Sequence, residues 1–128
     1  MSRKRVAVDI DGVLAQYDDF KGLDIIGDPV PGAKEFLEKL LTKFEVILHS
    51  TRLSVDEVRR HGLDKTAGEL KEIVESWASK HTLPYTILWM GRGKPRAEAY
   101  IDDRGIRCRP QENPMAFVEA LTLLGIEE

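Results

Sequence analysis

The chain has 128 residues, 42% of them apolar and 32% charged, with 19 basic and 22 acidic side chains for a net charge of −3. This is an ordinary soluble composition, sufficient for one globular domain over 1–128, and it provides no basic field to draw the protein onto nucleic acid. One cysteine, Cys108, excludes an intramolecular disulfide and suits a reducing, cytoplasmic compartment; no apolar run is long enough to span a membrane.

Val6, Ala7 and Val8 read as a short strand buried on both faces, because no polar residue alternates with them. Asp9 falls where that strand ends, Asp11 follows one residue later, and Gly12 allows the chain to turn away. The acids also rule out a signal peptide behind Arg3, Lys4 and Arg5. Residues 15–31, with two glycines and two prolines, read as a loop or flap without packing of its own. Pro31-Gly32 introduces a helix over about 33–43, with Phe36, Leu37, Leu40, Leu41 and Phe44 on one face.

Residues 45–49 form a second buried strand, followed at once by Ser50-Thr51-Arg52. Ser54-x-x-Glu57 opens a short helix closed by Gly62, and Thr66-x-x-Glu69 opens a longer one to about Lys80. The longer helix turns Leu70, Ile73, Val74, Trp77 and Ala78 inward, with Trp77 a core residue. A third strand over 85–89 is joined to a fourth over 98–101 by a basic loop, 90–97. Those eight residues are too few for a helical crossover, so the connection is expected to be extended. The fourth strand runs into Asp102-Asp103-Arg104-Gly105, a short edge strand covers 106–109, and Pro114 starts a helix burying Phe117, Val118, Leu121 and Leu124. Strands alternating with helices predict an α/β fold, a three-layer αβα Rossmann-like parallel sheet.

In a parallel sheet all strand ends of one kind lie on one edge, where ligands bind. That edge would gather Asp9, Asp11, Ser50, Thr51, Arg52, Asp102 and Asp103, with Lys94 in the basic loop between the last two groups. Two carboxylates as close as Asp9 and Asp11 repel unless one is protonated or a cation lies between them, and magnesium suits such oxygen ligands. A calcium loop is excluded by Val13 and Leu14 at its fifth and sixth positions. A P-loop is excluded by Leu88 where its first glycine belongs and Pro95 where its hydroxyl belongs. His49, His61 and His81 receive no catalytic role, and Cys108 reads as a small buried hydrophobe.

The run Asp9-Ile10-Asp11-Gly12-Val13 after a buried strand resembles the first motif of the haloacid dehalogenase superfamily of phosphohydrolases. Ser50 in Ser-x-Arg, Lys94 beside Pro95, and Tyr100-Ile101-Asp102-Asp103-Arg104 resemble its second, third and fourth motifs in the right order. The last also looks like polynucleotide 3′-phosphatase domains and small hydrolases of the superfamily. The resemblance, over about 5–105, implies a magnesium-dependent phosphomonoesterase. Asp9 would attack phosphorus to give an aspartyl-phosphate; Asp11 would protonate the leaving oxygen and then activate water. Magnesium would be held by Asp9, the Asp11 carbonyl and one acid of the final pair, with Asp103 favoured over Asp102. Ser50 and Lys94 would hold the phosphoryl oxygens, with Thr51 a rival hydroxyl and Arg52 a further cation.

A receiver-like, non-catalytic phosphate-binding module has a similar size and sheet, but its acidic pair should follow the first strand and its lysine should come last. Superfamily members acting on metabolites often carry a cap domain, for which 15–31 and 53–89 leave no room. The resemblance therefore implies a capless type with an open site, which a homo-oligomeric neighbour could cover. A small phosphate ester is expected over a polynucleotide end, because Asp18, Asp19, Asp24 and Asp28 would repel a polyanion.

Overall fold

The computed structural model describes residues 3–17, 25–50, 67–89, 96–102, 106–108 and 110–126, with backbone alone for 67, 102, 106 and 107. Five strands, β1 (Arg5–Asp9), β2 (Glu45–His49), β3 (Ile87–Leu88), β4 (Ala99–Asp102) and β5 (Ile106–Arg107), form one sheet in the order β3-β2-β1-β4-β5. Every pairing is parallel, with Val8 opposite Leu48 on one side and Ile101 on the other. β1 is central, which is why its sequence is continuously apolar: Val6, Ala7 and Val8 are fully buried. The chain builds outward from β1 to β2 and β3, then crosses to β4 and β5, so the order reverses between β1 and β4. In doubly wound sheets that reversal opens a crevice at the carboxyl ends of the strands.

Three helices are described: α1 (Ala33–Leu40), α2 (Ala67–Lys80) and α3 (Ala116–Leu123). α1 and α3 meet through stacked rings of Phe36 and Phe117, whose centroids are 4.5 Å apart. α2 buries Leu70, Val74, Trp77 and Ala78 in the same core. No helix among the described residues is long and apolar enough to cross a membrane.

Several details differ from the sequence reading. α1 ends at Leu40, three residues early, because the Arg3 guanidinium donates to the carbonyls of Leu41 (2.7 Å) and Thr42 (2.9 Å) and fixes a turn there. β3 has two residues where five are expected, although Thr86 and Trp89 still donate to Val46 and Leu48 at 2.9 Å. β5 rejoins the sheet only five residues after its partner, with Ile101 opposite Ile106, and is likewise two residues long. β3 and β4 are not neighbours: β2 and β1 stand between them.

Both ends of the 15–31 segment are packed, contrary to the expectation of a loop without packing. Ala15 and Val30 are buried, and Ala15 bridges antiparallel to Pro29. Gln16 N–H donates to Asp28 and Val30 N–H to Leu14, both at 2.8 Å. These backbone bonds offset the cost of burying the ends. Residues 18–24, the expected helix at 54–62 and the core of the basic loop at 90–95 lie outside the described residues.

Candidate active site

Asp9 ends the central strand, level with His49 of β2. Ile10 N–H donates to the His49 carbonyl at 3.2 Å, carrying the pairing one residue past Asp9. The Ile10 carbonyl then accepts from Val13 (3.4 Å), Leu14 (2.9 Å) and Ala15 (2.8 Å), closing a single tight turn. Gly12 within it has φ 83°, a left-handed conformation that glycine adopts without steric cost. Nothing lies within 4 Å of where its Cβ would stand, so the backbone alone requires glycine there. Val13, Leu14 and Ala15 are buried and anchor the turn to the core.

This turn brings Asp11 back over the sheet edge. The Ser50 hydroxyl, one residue past the end of β2, donates to Asp11 Oδ2 at 3.1 Å. On the other side of β1, Val8 faces Ile101, and each strand ends one residue later, at Asp9 and at Asp102. Asp9, Asp11, Ser50 and the Asp102 backbone therefore meet at the reversal point of the sheet. Thr51, Arg52, Lys94 and Asp103, and the Asp102 side chain, lie outside what the structure describes.

The donors that do converge are oxygens, the ligand type of a hard cation such as magnesium. Among the described residues no group of three acidic, histidine or cysteine side chains could hold a metal. Cys108 is fully buried, and burial first, then Glu119, push its thiol up to about 12. Burial and the raised pKa both favour the neutral thiol, consistent with a small buried hydrophobe.

Two contacts had no signal in the sequence motifs. Trp77 donates its indole N–H to the Gly27 carbonyl at 2.9 Å, and Gln111 Oε1 accepts the Tyr17 N–H at 2.7 Å. A buried tryptophan needs a partner for its N–H, which is the one clue the first offered. Both tie the segment leaving Asp11 to distant parts of the fold.

The sheet is parallel throughout, as the alternation of strands and helices predicts, and its central strand ends in an acid where the strand order reverses. The fold is a Rossmann-like α/β fold built on a parallel sheet. No protein-family model and no curated protein matches the chain. A conserved protein from Bacteroides thetaiotaomicron is similar in structure, with a TM-score of 0.53 and 25% identity over 89% of each chain. A Vibrio cholerae protein gives 0.48 at 23% identity, over 94% of this chain and 98% of its own. The D,D-heptose 1,7-bisphosphate phosphatase of B. bronchiseptica, crystallised with magnesium and phosphate, gives 0.47 at 19%, over 96% of this chain and 64% of that one. The parallel sheet sets the Asp9 edge, and Ser50 at the end of β2 donates to Asp11 in the turn beyond it.

Proposed function

We propose that the protein is a phosphohydrolase, a phosphomonoesterase that works through an aspartyl-phosphate on Asp9. The observation that carries this reading is the Ser50–Asp11 hydrogen bond over the Asp9 strand end. It joins the second acid of the first motif to the hydroxyl of the second, beside the strand that Asp9 ends. Asp9 Oδ attacks phosphorus as the bond to the leaving oxygen breaks, and Asp11 gives that oxygen its proton. Asp11 then takes a proton from water, whose oxygen attacks phosphorus and releases Asp9 and phosphate. Ser50, Thr51, Arg52 and Lys94 hold the phosphoryl oxygens.

Asp9, the Asp11 carbonyl and Asp103, supported by Asp102, would hold magnesium, which when bound neutralises phosphoryl charge. The preferred substrate is a small phosphate ester, handled by a single domain whose lone cysteine suits the cytoplasm. A screen of nucleotides, sugar phosphates and end-phosphorylated oligonucleotides, with magnesium and with a chelator, tests this. Magnesium-dependent release of phosphate from a small ester is expected. Steep salt inhibition with selective cleavage of an oligonucleotide end would replace the small ester by a polynucleotide. No turnover of any substrate would remove the phosphatase reading.

A further inference from the structure

The turn that carries Asp11 continues into residues 15–17, and Tyr17 N–H is bonded outside its own neighbourhood. Its acceptor, Gln111 Oε1, is 94 residues away in sequence, at 2.7 Å, the short end of the N–H···O range. Two residues beyond Gln111, Asn113 is fixed to the start of α3. Asn113 Oδ1 accepts Met115 N–H (3.0 Å), its carbonyl accepts Ala116 N–H (3.0 Å), and its amide donates to Glu119 (3.1 Å). These bonds hold Asn113 to the start of α3.

The two joined segments lie on opposite sides of the reversal point. Residues 11–17 leave β1, and 110–113 follow β5, beyond β4. A bond between them ties together the two arms of the chain that flank the crevice. The pull reaches Asp11 by a short route: Ala15 bridges to Asp11, and its carbonyl accepts the Gly12 N–H at 2.9 Å.

We propose that Gln111 is a positioning residue, which holds the Asp11 turn in register over Asp9 through Tyr17 and Ala15. This role rests on the phosphatase reading for its catalytic consequence, but the mechanical link does not. A general acid displaced by a fraction of an ångström transfers its proton less well, while a leaving group that needs no proton is indifferent.

Amide hydrogen exchange on the whole protein, followed residue by residue, tests the link. In Gln111→Ala, exchange at both Tyr17 and Gly12 should rise about two- to tenfold, the worth of one ordinary hydrogen bond, with Val8 and Leu48 unchanged. Gln111→Glu keeps an acceptor oxygen at the same reach and should restore both. Unchanged exchange at Tyr17, or a rise at Tyr17 that leaves Gly12 untouched, would overturn the proposal. In steady-state kinetics Gln111→Ala should lower kcat on an alkyl phosphate more than on p-nitrophenyl phosphate, with KM little changed. Equal loss on both substrates would show a merely structural residue and also overturn the positioning role. If the wild type hydrolyses neither, the phosphatase reading fails, and the exchange result alone decides the link.

Discussion

Replacing Gly27 by alanine probes the packed base of the 15–31 segment. An alanine Cβ at Gly27 would collide with the Gln16 carbonyl oxygen and stand 3.2 Å from its carbonyl carbon, so one of the two strands must move. Two hydrogen bonds depend on their present spacing: Gln16 N–H to Asp28 at 2.8 Å, and the Trp77 indole to the Gly27 carbonyl at 2.9 Å. Losing both costs about 1 kcal/mol each, with more for the indole N–H because Trp77 is only 9% exposed. The stiffer unfolded chain returns roughly 0.4–1 kcal/mol, leaving a net loss of about 2 kcal/mol. For 128 residues the unfolding entropy is about 0.27 kcal/mol/K, so the expected fall in Tm is about 7 °C. Thermal unfolding followed by circular dichroism and calorimetry measures it. A Tm within about 1 °C of wild type would refute the back-to-back placement of Gln16 and Gly27.

Gly12→Ala should cost about 1–2 kcal/mol from its left-handed backbone alone, and Gly12→Asn less, since asparagine tolerates that conformation; denaturant midpoints give the ranking. Asp11→Asn should lose about 10²–10⁴-fold on alkyl phosphates but less in phosphoenzyme formation from p-nitrophenyl phosphate, measured by stopped-flow release of nitrophenolate. Cys108 has its pKa raised from 9.0 to about 12, so below pH 9 folded and unfolded chains both keep the proton. Above it only the unfolded chain loses the proton, and stability should fall by up to about 1.4 kcal/mol per pH unit toward pH 12. Urea titrations at rising pH should show that slope in wild type and a shallower one in Cys108→Ala.

The central strands were readable to within one residue, because a continuous apolar run bounded by charge fits a strand covered on both faces. β2 matches its expected limits and β1 extends one residue beyond Val6 and Val8 at each end, with Asp9 at its carboxyl end. The edge strands were less readable: β3 and β5 pair on one side only, so polar and apolar residues are both tolerated there and their ends leave no mark. Strand order was not readable at all near β3 and β4, since hydrophobic content says that a strand is buried and not which strand is its neighbour. The packed base at Ala15 and Pro29 was hidden by glycines and prolines that signal a turn equally well. The Gln111–Tyr17 bond joins a side chain to a distant backbone amide, and no local pattern encodes such a contact. Of the expected site residues, Ser50 is bonded to Asp11 and Asp9 ends the adjoining strand, while Thr51, Arg52, Lys94 and Asp103 lie outside the described residues.

The nucleophile assignment to Asp9 is most directly tested by locating the phosphoryl group. Asp11→Asn, mixed with p-nitrophenyl phosphate and magnesium and quenched in acid, should accumulate a phosphoenzyme, and peptide mass spectrometry after reductive trapping should place the modification on Asp9. The double variant with Asp9→Asn should trap nothing while keeping the wild-type circular dichroism spectrum. A phosphoryl group on any other residue, or undiminished hydrolysis by a folded Asp9→Asn protein, would contradict the account.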